Sequence, residues 1–158
     1  MKKAITSTIL ATIIVLSMLF TACTSESENI TVDTSDLSAK VMEKYEFPAM
    51  YEVPSDELLA EFAITEEYFS EFSAYTTEEP YGIERIFFGI VNADISVKDA
   101  SLELESYFQK IKDQSENYDA VEFAKAENAE VFTKGNFIAL VICEDSQGAL
   151  DYVKELIK

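Results

Sequence analysis

A run of seven apolar residues near the end of the chain limits the available folds most strongly: Phe137-Ile138-Ala139-Leu140-Val141-Ile142-Cys143. The run has no polar alternation, which is typical of a β-strand that is covered on both faces. Residues 86–91 have the same character. Two such strands predict a sheet with a layer of structure on each side.

The surrounding hydrophobic patterns predict the order hairpin, helix, hairpin, helix. The strands are expected at 70–77, 83–92, 130–133 and 137–143, with a turn at 78–82 between the first two. The helices are expected at 96–115, capped by Ser96, and at 146–157, with a polar loop over 116–129. Two short N-terminal helices should precede them, one capped by Asp36 and one with Leu58, Leu59 and Phe62 facing inward. We therefore expect an α+β fold: a four-stranded, mostly antiparallel sheet with two helices on one face and short N-terminal helices.

The second face of this sheet also needs a cover. The N-terminal helices, a second copy of the chain or a partner could each supply it. An open apolar face would be the best candidate binding surface.

The first 22 residues have the pattern of an export signal. Lys2 and Lys3 precede the apolar stretch 9–20, and the small residues Thr21 and Ala22 follow. The alternative is an uncleaved membrane helix, but this stretch is short for a span, which needs about 20 residues.

The segment Leu19-Phe20-Thr21-Ala22-Cys23 resembles the lipobox of bacterial lipoproteins, with Phe20 where that family usually has Leu. The resemblance implies cleavage between Ala22 and Cys23 and lipid attachment at Cys23. It also implies a location on the outer face of the cell membrane, with the membrane as a partner through the covalent lipid. Two acyl chains hold a protein there without a basic patch.

Three segments follow from these patterns. Residues 1–22 are the predicted signal peptide, residues 23–35 a lipidated flexible tether rich in Ser, Thr and Glu, and residues 36–158 a single α+β domain.

The charge of the chain is strongly acidic. Twelve basic and thirty acidic residues give −18, and loss of Lys2 and Lys3 with the signal would leave −20. Such a surface repels nucleic acid and anionic headgroups and favours basic partners or cations, so no nucleic-acid partner is expected. The alternative is that the charge only favours solubility.

The composition leaves little material for catalysis. Without histidine, catalytic Ser-His-Asp and Cys-His arrangements and histidine-based zinc sites are excluded. The four glycines of the chain form no phosphate-binding motif. Cys143 lies in an apolar run, so it is predicted to be a small buried hydrophobic residue. Residues 113–119 come closest to a calcium loop but lack its glycine and closing Glu, so a solvated loop is expected. We expect no cofactor and no metal site.

The whole chain resembles a family of small Gram-positive lipoproteins known only as a domain of unknown function. The similarity covers residues 36–157. It lies in Leu58-Leu59 followed by Phe62-Ala63-Ile64, in the strand pair, and in Ala126-Glu127-Asn128-Ala129 before a hairpin containing Gly135-Asn136. The family implies an α+β domain on the outer membrane surface and no activity.

The function expected is that of a non-catalytic binding or accessory module of the cell envelope, with an envelope protein as partner. The alternative is a carboxylate-dependent hydrolase acting on an envelope or extracellular substrate, which would need two carboxylates at catalytic separation in a concave pocket. A solute-binding lipoprotein of a transporter is disfavoured because the chain is short for the usual two-lobed design.

Overall fold

The computed structural model describes residues 29–158. The predicted signal, the lipidation site Cys23 and the first part of the tether lie outside the described residues. Within them, the helices are α1 (Thr34–Lys44), α2 (Leu58–Phe62), α3 (Val97–Tyr118), α4 (Ala120–Glu127) and α5 (Ser146–Leu156). The strands are β1 (Met50–Glu52), β2 (Phe69–Thr77), β3 (Arg85–Val91), β4 (Phe132–Lys134) and β5 (Phe137–Ile142). Two short 3-10 turns are at Ser55–Glu57 and Glu66–Tyr68.

The strands form one sheet in the order β1-β2-β3-β5-β4, and every neighbouring pair is antiparallel. The β3–β5 pairing joins the two predicted hairpins, with Arg85 opposite Ile142 and Ile90 opposite Phe137. The α+β class and the antiparallel sheet are confirmed. The predicted count of four strands is wrong, because the three-residue strand β1 adds an edge beside β2 and is too short to show a sequence pattern.

The expectation that the two long helices share a face is also wrong. Helix α3 packs with α2 on one face, whereas α5 packs with α1 on the other. Side chains alternate along a strand, so Phe87 and Leu140 enter the first core while Phe88 and Val141 enter the second. Because both faces are apolar, each needs its own long helix, and the short helices complete the two layers.

The chain itself therefore covers both faces of the sheet. The N-terminal helices contribute to this cover, as one of the three alternatives predicted, and no apolar sheet face is left open within the described residues. The sheet therefore does not offer the open apolar face that the sequence analysis named as the best candidate binding surface.

Helix α1 begins before the residue that was predicted to cap it. The side chain of Asp33, and not Asp36, caps α1 by accepting the N–H of Asp36 at 2.8 Å. Ile30 is buried, and its N–H is donated to Asn136 Oδ1. The last residues of the predicted tether thus pack against the domain.

Two further local predictions are corrected by the structure. Leu59 is 65% exposed, because only positions 58 and 62 of the short helix α2 reach the core. Residues 116–129, predicted as a polar loop, contain the end of α3 and helix α4, separated at Asp119. Ser96 caps α3 as predicted. In the part of the chain that the structure describes, no helix combines the length and the apolarity that a bilayer span requires.

Candidate functional site

A groove of about 760 Å³ opens at one end of the sheet, between the β2–β3 connection and the junction of α3 with α4. Two tyrosines stand on opposite elements of it, so we refer to it as the Tyr81–Tyr118 groove. Its lining consists of Tyr81, Gly82, Ile83, Arg85, Ile111, Gln114, Ser115, Tyr118, Asp119 and Glu122. This volume lies in the range of small-ligand sites in proteins.

Both tyrosine rings point into solvent. Tyr81 is 97% exposed and Tyr118 is 88% exposed. Aromatic side chains normally bury much of their surface, and their exposure beside a cleft is typical of binding sites. Tyr81 also has a left-handed backbone, with φ of 73°, which is unfavourable for a bulky residue. Such strain is found preferentially at functional sites.

Arg85 is the cation among the groove-lining residues, and its guanidinium is held in place. Its Nε donates to Tyr107 Oη at 3.2 Å, and its Nη1 donates to the carbonyl of Glu84 at 2.9 Å. Burial raises the pKa of Tyr107, and the adjacent Arg85 charge partly opposes this rise. Neither contact neutralises the guanidinium, so a positive charge remains in the groove.

An ion cluster behind the groove wall joins the β2–β3 connection to α4. Lys125 Nζ lies 2.6 Å from Glu84 Oε1 and 2.6 Å from Glu122 Oε1. Glu122 Oε2 also accepts the backbone N–H of Ile83 at 3.1 Å. Burial by itself lowers the pKa of Lys125, but hydrogen bonds to the two carboxylates outweigh it and raise the pKa above its usual range. The cluster therefore fixes the wall.

The negative charge of Glu84 depends on this cluster for its compensation. Glu84 is 6% exposed, and its Oε2 has no hydrogen-bond partner within residues 29–158. A Cβ at Gly82 would lie 3.0 Å from this oxygen and 2.7 Å from Thr77 Cγ2. Glycine at position 82 thus allows the connection to close over the carboxylate.

The acidic segment 113–119 has no cation-binding geometry. It is helical up to Tyr118, and Asp113 Oδ1 accepts the amide of Gln109 at 2.7 Å. Asp119 caps α4, where its Oδ1 accepts the N–H groups of Val121 and Glu122. Among the described residues, no group of three or more acidic or cysteine side chains is arranged to hold a metal ion.

Cys143 has the environment predicted for it. The residue is fully buried, and burial raises the pKa of its thiol to about 11. Thiolates are the reactive form of cysteine, so both burial and the raised pKa disfavour reaction of this side chain in the folded protein.

The groove and the N-terminal connection lie at opposite ends of the sheet. Arg85 begins β3 at the groove, whereas Val91 ends it beside Asn136, the residue that binds Ile30. Six residue steps of a strand separate these ends by about 20 Å. The chain thus reaches the domain at the end farthest from the groove.

Sequence reasoning missed the groove. The predicted site residues Ala22 and Cys23 lie outside the described residues, and the structure relates neither to it. Residues 78–82 indicate only a turn by their composition, although a tyrosine within a turn is one signal of an exposed aromatic side chain. No local pattern indicates that residues 81–85 meet residues 111–122.

No curated protein and no solved structure matches the chain. Its residues 43–143 match the family described as Domain of unknown function (DUF4358). This segment contains every residue that lines the groove, together with the Glu84–Lys125–Glu122 cluster. The match spans more than half of the chain, and the protein therefore belongs to the DUF4358 family.

Proposed function

We propose that the protein is a membrane-anchored extracytoplasmic lipoprotein. It serves as a non-catalytic binding or accessory module of the cell envelope and meets an envelope protein through the Tyr81–Tyr118 groove. The anchor is Cys23, in the lipobox-like segment Leu19-Phe20-Thr21-Ala22-Cys23.

The position of the groove carries this proposal. Seven residue steps connect Cys23 to Ile30, so the Ile30 end of the domain stays within about 25 Å of the lipid. The groove lies at the other end of the sheet, where its exposed tyrosines are free to contact a protein. A module held in this way presents its aromatic side chains away from its attachment point.

The carboxylates of the groove support binding over hydrolysis. The Asp119 carboxylate caps α4 through Oδ1. The Glu122 carboxylate uses Oε1 for Lys125 and Oε2 for the N–H of Ile83. A glycosidase-like pair needs one carboxyl group to transfer a proton and another to act on water or sugar, and these structural contacts oppose both roles.

Substitution of Cys23 tests the anchor. We expect Cys23→Ser to lose lipidation and to leave the detergent phase on phase partition, because serine has no thiol to alkylate. Cys143→Ala is the matched control, since it removes the buried thiol and should remain in the detergent phase. Normal processing and membrane retention of Cys23→Ser would contradict the proposal.

Photo-crosslinking in intact cells tests the groove. A benzoylphenylalanine at position 118 should give a discrete crosslinked envelope protein, because the side chain there is 88% exposed on the groove wall. The same residue at position 59, which is 65% exposed and outside the groove lining, is the control. Identical products from both positions would count against the groove as the binding surface.

A further inference from the structure

We infer that the occupant of the Tyr81–Tyr118 groove is an extended, cationic segment of a partner protein, with lysine or arginine side chains next to backbone carbonyl groups. This inference rests on the proposed function and specifies the chemistry of its partner.

The first observation is charge complementarity. Glu78 and Glu79 belong to the same turn as Tyr81, and Asp119 lines the opposite side of the groove. All three are exposed, and none of them forms a salt bridge within residues 29–158. Lys125 is already committed to Glu84 and Glu122. The β2–β3 connection and the α3–α4 junction that flank the groove therefore carry three unpaired carboxylates against the single guanidinium of Arg85, and this excess of negative charge attracts a cationic ligand.

The second observation is the aromatic and apolar lining. Tyrosine faces attract lysine and arginine heads, and apolar surface accommodates the alkyl stems of these side chains. Tyr81 and Tyr118 supply the faces, while Ile83 and Ile111 supply the apolar part. The same chemistry occurs elsewhere in this chain, where Lys44 Nζ lies 3.6 Å from the ring centroid of Tyr152.

The third observation separates a peptide from a simple polyamine. Arg85 lies in the groove, and two of its five N–H donors are used by Tyr107 and by the Glu84 carbonyl. The remaining donors can bond to the backbone carbonyls of an extended peptide. A polyamine has no acceptor for them, so these donors favour a peptide over a polyamine.

The overall charge disfavours the other occupants. The sequence after the signal carries −20, so nucleic acid, anionic lipid and a second copy of the same chain all meet electrostatic repulsion. A cationic protein segment is instead attracted from a distance and then held by the rings.

A binding titration with the full, detergent-solubilised protein tests this inference. The probe is a fluorescent decapeptide of alternating lysine and leucine, compared with its glutamate–leucine counterpart and with spermine as competitor. We expect the lysine peptide to bind, the glutamate peptide not to bind, and spermine to compete at least tenfold more weakly than unlabelled lysine peptide.

Two charge-reversal variants locate the binding. Glu79→Lys should weaken the lysine peptide at least tenfold. Glu155→Lys changes the net charge equally, but it lies on α5 near Ile157, whose carbonyl accepts Lys134 Nζ at the opposite end of the sheet. We expect this control to change binding less than twofold.

The outcomes are distinguishable. Equal weakening in Glu79→Lys and Glu155→Lys means diffuse electrostatic attraction and overturns the inference, as does equal competition by spermine. Self-association in place of peptide binding also overturns it. If the lysine peptide does not bind while crosslinks from position 118 persist, the proposed ligand class is wrong and the proposed function stands. If neither peptide binding nor crosslinking is observed, the proposed function is contradicted as well.

Discussion

Asn136 Oδ1 accepts the backbone N–H of Ile30 at 2.7 Å and so joins residues that are 106 positions apart. The carbonyl of Asn136 also accepts the N–H of Val91 at 2.8 Å, which ties the β4–β5 turn to the end of β3. Gly135 precedes it with φ of 57°, a conformation that glycine adopts without steric cost. One turn residue therefore fixes the point at which the N-terminal connection meets the sheet.

Asn136→Ala should lower the free energy of unfolding by about 1 kcal/mol, because the buried Ile30 loses the acceptor for its N–H. The amide of Ile30 should exchange its hydrogen faster in the variant. Asn136→Asp keeps a side-chain acceptor and should retain most of the stability, whereas Asn117→Ala removes an exposed contact and should have little effect. Chemical denaturation and hydrogen exchange measure these changes. Unchanged exchange at Ile30 would contradict the role of this bond.

Lys125→Met should lower the free energy of unfolding by about 3 kcal/mol, because the nearly buried Glu84 loses its compensating charge. The double variant Glu84→Met/Lys125→Met should recover part of this loss, since it removes the most buried carboxylate, while Glu122 loses its cation and keeps the N–H of Ile83. Lys40→Met is the control: its bridge to Asp36 is exposed to solvent, so its loss should change the stability far less than the loss of Lys125. Urea denaturation distinguishes these outcomes, and equal losses for Lys125 and Lys40 would refute the cluster's structural role.

Alkaline pH should remove the contribution of Lys125. Its pKa in the folded protein is raised above the usual 10.5, so the charged form stabilises the fold fully below pH 10.5. As pH rises through the raised pKa, the folded protein loses this proton and the stabilisation disappears. The difference in unfolding free energy between the parent and Lys125→Met should therefore stay constant from pH 7 to 10 and shrink above it. If the difference in unfolding free energy grew as the pH rose above 10, the prediction would be wrong.

Four of the five strands of the described residues were predictable from the sequence because their signal is local. The apolar run 137–143 predicted β5 and its burial on both faces, and the segment Lys134-Gly135-Asn136 predicted the adjoining turn. Ser96 indicated the start of α3 for the same reason, since an N-cap acts within one helical turn.

The groove depends on contacts between residues that are distant in sequence. The same is true of the choice of sheet face on which each long helix packs. Glu84 and Lys125 are 41 positions apart, and nothing in either neighbourhood indicates that they pair. An amphipathic helix such as α5 shows which of its own faces is buried but not which face of the sheet receives it. Because β3 and β5 are apolar on both sides, their pattern gave no preference between the two arrangements.

Cys143 should resist thiol reagents in the native protein. The residue is fully buried, and burial raises the pKa of its thiol to about 11, so both access and thiolate formation are opposed. In a Cys23→Ser background, Ellman's reagent at pH 8 should react only as fast as the protein unfolds, and one thiol should be released in denaturant. Rapid native labelling would show that the β5–α5 junction opens locally.

Tyr81→Gly should raise the free energy of unfolding by about 0.5–1 kcal/mol. Release of the left-handed strain gains about 1–2 kcal/mol, and the greater freedom of glycine in the unfolded chain offsets part of this gain. The ring is 97% exposed, so its removal should cost the core little packing. Tyr81→Asn should also be tolerated, whereas the β-branched Tyr81→Val should be destabilised. Thermal and urea denaturation report these signs.

The same substitution should weaken binding of the lysine–leucine peptide, because the groove loses one of its two aromatic faces. A gain in stability together with a loss of binding would show that the strained backbone of Tyr81 places its ring where the groove binds the peptide. A Tyr81→Gly protein that is less stable than the parent would instead show that the ring supports the β2–β3 connection. Tyr118→Ser provides the comparison, since it removes the other ring from a helical backbone and should weaken the peptide without relieving strain.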